Sequence, residues 1–217
     1  MPDTTTLNNR LPRPVVIREV GLRDGLQSIA RVLPTEQKLQ WIRAAYDAGL
    51  RELEVGSFVP PRLLPQLADT AEVLAFAQTL PGLVASVLVP NLKGAQRAID
   101  ANAALLLLPL SASHAHSLAN LRKTPDDVVA DIGRIRAARD AAGAQTLIEV
   151  GISTAFGCTL QGEVAESKAD DRCWCKAFGQ PRCQTSAILP SVVLFLHQQI
   201  HFLNSVKCRA VFFFVKL

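Results

Sequence analysis

The sequence predicts an α/β protein whose parallel sheet is assembled from consecutive strand–helix units, and three observations carry that class. Five short apolar segments recur at intervals of roughly 30 residues, the span of a strand and its crossover. Between them lie stretches with apolar residues at helical spacing, bounded by Pro, Thr, Asp and Gly. The first segment, Val15, Val16 and Ile17, is a β-branched run that breaks into Gly21, Arg23, Asp24 and Gly25, as a buried parallel strand does where it meets a polar loop.

Each element follows from local chemistry. After the opening strand, Pro34-Thr35-Glu36 precedes Leu39, Ile42, Ala45 and Tyr46 at helical spacing, and Gly49 closes that helix. Leu50–Val55 is the second strand, with Ser57–Pro65 its outgoing loop. Asp69–Leu80 is a helix stopped by Pro81-Gly82, and Leu83–Val89 is a third strand ending at Pro90-Asn91, where Asn91 suits a turn or helix cap. Leu92–Ala101 is a short helix, Ala104–Leu110 a fourth strand, and Ser111–Lys123 reads as a long polar loop. Thr124 is an N-cap followed by Pro125, Asp126 and Asp127, opening a helix to about Ala142. Gly143 ends it, and Gln145–Gly151 is the fifth strand.

Five such units suit either an open doubly wound sheet or a closed barrel. No Gly-rich dinucleotide fingerprint or P-loop favours the open sheet. A complete eight-unit barrel takes about 250 residues, whereas the strand–helix rhythm stops near Val164. Residues 165–217 hold seven of the twelve aromatic residues and four of the five cysteines, and include the bare apolar run Val211–Val215, readable as a strand or as an aggregation-prone segment.

The charge divides at the same point. Residues 1–164 balance 16 basic against 16 acidic residues, while residues 165–217 carry 7 against 3, so the net excess of +4 lies in the tail and argues against nucleic-acid binding by the folded part. Cys158 is alone before residue 165, which suits a reducing compartment. Met1–Arg10 is polar and lacks the apolar centre of a secretory signal, so a cytoplasmic protein is expected. Ala187–Leu196 is interrupted by Pro190 and falls short of the roughly 20 residues a membrane helix needs.

Chemistry is expected at the carboxyl ends of the strands. These positions hold Arg23, Asp24 and Gln27, then Glu54 and Ser57, Asn91, Ser111 and Ser113, and finally Ser153 and Thr154. An Asp beside an Arg on a turn held open by two glycines can aim an oxygen at a divalent cation while the guanidinium faces a developing oxyanion. The same pair can also be an ordinary ion pair, and Glu54 can simply pair with Arg51 or Arg23. The loop hydroxyls can equally satisfy their own backbone.

Leu22-Arg23-Asp24-Gly25-Leu26-Gln27, Glu52-Leu53-Glu54-Val55-Gly56-Ser57-Phe58-Val59 and Ser111-Ala112-Ser113 together resemble, in order and spacing, the hydroxymethylglutaryl-CoA lyase family of metal-dependent lyases. The likeness runs from about Val15 to Val164. It implies an incomplete (β/α)8 TIM barrel of about five amino-terminal units over 15–164, an extension at 1–14, and an irregular non-family tail at 165–217. Because the family continues into three further units, we expect that a shifted reading frame, an alternative splice or an annotation artefact has replaced the second half, the other reading being a genuine divergent carboxy-terminal module.

By this resemblance, Asp24 is a ligand for Mg²⁺ or Mn²⁺, Arg23 steadies the enolate of the departing acetyl-CoA, and Glu54 orients the metal site. Gln27, Ser57, Ser111 and Ser113 contact substrate. The family reaction cleaves 3-hydroxy-3-methylglutaryl-CoA to acetoacetate and acetyl-CoA in leucine degradation, with an acyl-CoA thioester as partner and homo-oligomers in the full-length proteins. The family draws its other metal ligands, two histidines and an asparagine, from later strands. Cation binding and turnover by this chain are therefore expected to be weak or absent. Other readings are a non-catalytic half-barrel that pairs with another chain through an exposed sheet edge, and a related aldolase or Claisen-type synthase.

His114-Ala115-His116 would share a face as metal ligands on a strand, but it falls in the loop after the fourth strand, where the family has no ligand, and reads as lining the substrate entrance. Cys158 matches a family position after the fifth strand and is not the family's catalytic cysteine. Cys173, Cys175 and Cys183 lack a second pair at zinc-ligand spacing.

Overall fold

The computed structural model describes residues 16–155 and 157–165, together with the backbone of 184–186 and 213–216. Strands β1 (Arg18–Glu19), β2 (Glu52–Ser57), β3 (Val84–Leu88), β4 (Leu105–Ser111) and β5 (Leu147–Ser153) alternate with helices α1 (Thr35–Asp47), α2 (Thr70–Ala77), α3 (Leu92–Asp100), α4 (His114–Leu121) and α5 (Pro125–Ala141). The five strands pair in sequence order, each parallel to the next. Two short strands, β6 (Gln184–Ser186) and β7 (Phe213–Lys216), continue the sheet, with β7 antiparallel to β5 and β6 antiparallel to β7.

Side-chain alternation gives the sheet two unlike faces. Leu53, Val55, Ala85, Val87, Leu106, Leu108, Leu110, Ile148, Val150 and Ile152 form one apolar face, buried with Ile42, Leu74, Ala95, Ala98, Ile132 and Ile135 of the helices. The opposite parity carries the polar residues Arg18, Glu52, Glu54, Ser86, Glu149, Ser111 and Ser153, together with the buried Leu105 and Leu107, and is the more polar face.

That polar face is concave. Arg18 on β1 donates from Nη1 and Nη2 to the Glu149 carboxylate on β5 at 2.7 and 3.0 Å, and from Nε and Nη2 to Glu52 Oε2 at 3.2 and 3.0 Å. On a flat sheet β1 and β5 would stand about 19 Å apart, four interstrand spacings, beyond the joint reach of an arginine and a glutamate. The strands are therefore rolled into a half-barrel with the charged residues inside and the helices outside.

The sequence-derived elements stand with three changes. Only Arg18 and Glu19 of the first segment pair with β2, opposite Glu52 and Leu53. Val16 and Ile17 are each 66% exposed, and Val15 lies outside the described residues. The expected polar loop 111–123 contains α4, since Ser113 caps it by accepting from the His116 N–H at 3.1 Å. Beside β5 the sheet continues into β7, so the apolar run Val211–Val215 contributes a strand from Phe213 onward. Cys173, Cys175, Cys183 and Cys208, and the segment Ala187–Leu196, lie outside the described residues.

The Thr124 cap is a complete capping box: its hydroxyl accepts from the Asp127 N–H, and the Asp127 carboxylate accepts from the Thr124 N–H. Asn91 caps α3 by accepting from the Gly94 N–H at 2.9 Å.

Candidate active site

The turn after β1 winds through Gly21–Gly25 and swings Arg23 over β2. Gly21 is required there, because a Cβ would stand 2.6 Å from Glu19 Oε1 and 2.7 Å from the Trp41 ring. Arg23 meets Glu54 side-on, with Nε to Oε1 at 2.6 Å and Nη2 to Oε2 at 3.1 Å, while Nη1 reaches Asp24 Oδ1 at 2.9 Å. Glu54 is 1% exposed and Asp24 has a 40% exposed side chain. The bidentate geometry fixes the guanidinium plane, and of its five N–H donors these contacts use three, leaving two for a ligand oxygen.

Burial pushes the Glu54 carboxyl above its ordinary range. The adjacent Arg23 and the more distant Arg18 oppose this, and the Asp24 charge reinforces it. One layer deeper, burial works against the Arg18 charge, but Glu149 and Glu52 more than offset it and raise its pKa.

The turn thus joins Arg23, Asp24 and Glu54, and places Gln27 exposed just beyond them. The remaining candidates divide into two groups. Ser57 is buried at the end of β2; its hydroxyl donates to the Leu88 carbonyl at 3.1 Å and accepts from the Val59 N–H at 3.3 Å. Gly56 before it is pressed against Thr70, whose hydroxyl accepts from the Ser57 N–H at 3.0 Å.

Ser111 and Ser113 belong to a second cluster at the ends of β4 and β5. Both are buried, and their hydroxyls are engaged by His116, Ser153 and Gln161. His114 and His116 stand two apart on α4 and so diverge, which removes the shared face that a strand would give them.

Thr154 adopts a left-handed φ of 56°, costly for a β-branched residue, and its hydroxyl accepts from the Ser113 N–H at 3.1 Å. Cys158 is buried in a tight turn closed by paired hydrogen bonds with Gly162. Burial disfavours its thiolate, but donors from Ser113 and the backbone of Leu160, Gln161 and His116 outweigh that and lower its pKa.

The HMGL-like family model matches residues 14–170. The chain belongs to this family. Mitochondrial hydroxymethylglutaryl-CoA lyase of Arabidopsis thaliana is 37% identical over 163 residues, covering 75% of this chain and 34% of the relative. The Bos taurus mitochondrial enzyme is 36% identical over 165 residues, 76% of this chain and 50% of the relative. The cytoplasmic 3-hydroxy-3-methylglutaryl-CoA lyase of Rattus norvegicus is 36% identical over 162 residues, 74% of this chain and 46% of the relative.

Among solved structures, an HMG-CoA lyase from Acinetobacter baumannii in complex with coenzyme A and 3-methylmalate superposes with a TM-score of 0.69 at 35% identity, covering 76% of this chain and 53% of that one. The hydroxymethylglutaryl-CoA lyase of Pseudomonas aeruginosa gives a TM-score of 0.71 at 31% identity, covering 78% of this chain and 56% of that one. The chain thus spans about a third to a half of the curated relatives' length, and its half-barrel is the HMGL-like fold over that span.

The HMGL-like family implies a divalent cation, and the described residues do not by themselves fit one. Asp24 is a lone carboxylate with Oδ1 already held by Arg23, and both Glu54 oxygens face the same guanidinium. Among the described residues no group of three or more His, Cys, Asp or Glu side chains converges as a metal cage.

Proposed function

We propose that this HMGL-like chain binds an acyl-CoA thioester over the carboxyl ends of β1–β5, and that the activity it represents is retro-Claisen cleavage of 3-hydroxy-3-methylglutaryl-CoA to acetoacetate and acetyl-CoA. The observation that carries this reading is Arg23, held at the barrel mouth by buried Glu54 with two N–H donors to spare. As the C3 hydroxyl gives its proton to a base and becomes the ketone of acetoacetate, the breaking carbon–carbon bond leaves its electron pair on the α-carbon of the acetyl thioester, whose negative charge spreads to the thioester oxygen until a proton returned to that carbon gives acetyl-CoA. A fixed guanidinium beside that oxygen stabilises the enolate more than the neutral thioester, and so lowers the barrel-mouth barrier to cleavage.

In this reading Glu54 is a positioning residue, since both its oxygens are spent on Arg23. Asp24 offers the freer carboxylate oxygen, and Gln27 faces the same opening. Because the described residues supply only that single open acid, the chain alone is proposed to bind Mg²⁺ or Mn²⁺ weakly and to turn over slowly or not at all. The one cysteine in residues 1–164 suits a reducing compartment, and we place the protein in the cytoplasm, in leucine degradation.

Calorimetric titration of the purified chain with 3-hydroxy-3-methylglutaryl-CoA, with and without Mg²⁺, tests this reading together with an assay for acetoacetate. Binding that is lost in Arg23→Gln supports it. Equal binding by wild type and R23Q, or robust turnover that depends on Arg23 in this chain alone, overturns the role or the weakness assigned here.

A further inference from the structure

The Ser153–Ser111–His116 cluster at the ends of β4 and β5 takes no part in the Arg23 site, and its protons can be counted. Ser153 Oγ lies 3.2 Å from the Leu110 carbonyl, which can only accept. A serine has one hydroxyl proton, so a Ser153 that donates to Leu110 must accept from Ser111, whose Oγ is 3.1 Å away. Ser111 has then spent its own proton. The short 2.7 Å contact between Ser111 Oγ and His116 Nδ1 becomes a hydrogen bond only if the imidazole donates. This ordering is the one in which all three contacts are hydrogen bonds; the reverse order leaves the Leu110 contact unmade.

The neutral imidazole is therefore the Nδ1–H tautomer, and its Nε2 is a lone-pair acceptor. Nε2 has no hydrogen-bond partner among the described residues, and His116 is only half-buried. Its backbone is equally fixed, with the His116 N–H held by Ser113 Oγ at 3.1 Å. The neighbouring hydroxyls of Ser111, Ser113, Ser153 and Thr154 have their protons committed within the protein. In this cluster, then, the acceptor left open is the histidine Nε2, its ring and backbone held by the buried Ser111 and Ser113.

We infer that His116 is a ligand-binding residue that accepts a hydrogen bond at Nε2 from an amide N–H in the carrier arm of the thioester. The choice of group rests on the acyl-CoA reading above and on distance. Ser111 on β4 and Glu54 on β2 are two strands apart, about 10 Å. A five-carbon acyl group held at Arg23 extends on the order of 6 Å, four bonds of about 1.5 Å. Any part of the ligand that reaches β4 is thus the arm beyond the sulfur, whose donors nearest the sulfur are amide N–H groups.

The test titrates full chains with coenzyme A alone and, separately, with free 3-hydroxy-3-methylglutarate. His116→Phe should weaken coenzyme A about three- to tenfold, the worth of one hydrogen bond, and leave the free acid unchanged. His116→Gln, whose amide oxygen stands near the lost Nε2, should restore most of the affinity. Long-range proton–nitrogen NMR on ¹⁵N-labelled chain, with H116Q identifying the signal, should show Nδ1 protonated and Nε2 bare at alkaline pH. Ser111→Ala should shift that signal toward the other tautomer.

An Nε2–H signal in the wild type, or coenzyme A binding unchanged in H116F, overturns the inference while leaving the Arg23 reading intact. Loss of free-acid binding in R23Q with coenzyme A unaffected separates the two sites as expected. A wild-type chain that binds coenzyme A not at all overturns the ligand assigned to His116.

Discussion

Arg18 and Glu149, separated by 131 residues and lying four strands apart, share a two-pronged hydrogen bond of 2.7 and 3.0 Å inside the half-barrel. Glu52 completes the clasp from β2. Because Glu149 has a 3% exposed side chain and Arg18 a 16% exposed one, deleting the cation strands two acids in a largely dry interior. Arg18→Met is expected to cost about 3–5 kcal/mol, read as a lowered urea midpoint. Adding Glu149→Leu and Glu52→Leu should return part of that loss, because it removes the two acids that the missing guanidinium had paired.

Glu54 gives a pH dependence with a definite sign. Burial raises its pKa from an ordinary 4.5, so the folded chain holds this proton more tightly than the unfolded chain. Its contribution to stability is fully present below that ordinary value and is lost as the pH rises through the raised one. The stability of wild type relative to Glu54→Gln should therefore fall as the pH rises above the ordinary 4.5. Urea midpoints of both chains over that rise check it, and a difference that grows with pH contradicts the burial argument.

Arg23→Lys should not rescue Arg23→Gln. A lysine ammonium is a point charge that cannot span both Glu54 oxygens as Nε and Nη2 do at 2.6 and 3.1 Å. Thioester affinity measured by titration should be as low in R23K as in R23Q, within about threefold.

Gly56 is expected to be intolerant, and it sits where the β2–β3 register shifts between Glu54 and Gly56. A Cβ there would stand 2.5 Å from Thr70 Oγ1 and 2.7 Å from its Cγ2, and Thr70 is itself pinned between Ser57 and Leu67. Gly56→Ala should destabilise by about 1–3 kcal/mol, and Thr70→Ser in the same chain should recover part of this by removing the methyl. Thermal melts of the two variants decide it.

Thr124→Ala removes the hydroxyl half of the capping box on α5 and should cost about 1 kcal/mol. Asp127, fully exposed and held below its ordinary range by hydrogen bonds from the Thr124 side chain and backbone, should lose its part of the effect as the pH falls into the acid range. Melting curves of T124A at neutral and acid pH check both.

Those elements that were legible in the sequence are the ones fixed by local chemistry. Thr124-Pro125 with Asp127 defines a helix start without tertiary help, and so does Asn91 before Leu92. Arg23, Asp24 and Glu54 were recognisable because motif residues at strand ends point into one opening, and the structure brings those three into contact. Helix α4 was not legible: polar Ser113, His114, His116 and Ser117 resemble a loop until the Ser113 cap and Ser111–His116 bond are seen.

The Arg18–Glu149 clasp was hidden for a different reason. Its members lie on strands that are distant in sequence, and a charged residue within a strand looks like a solvent-facing position unless the curvature that unites them is known. The proton ordering of Ser153, Ser111 and His116 likewise depends on the parallel register that sets Ser111 beside Ser153.

The clasp between β1 and β5 also has a bearing on assembly. The bonds it makes to Glu52 and Glu149 lie within residues 18–149, so groups in that stretch help to gauge the width of the half-barrel. Whatever strands meet this trough, from the same polypeptide or another, must conform to a curvature to which this guanidinium and its two acids contribute.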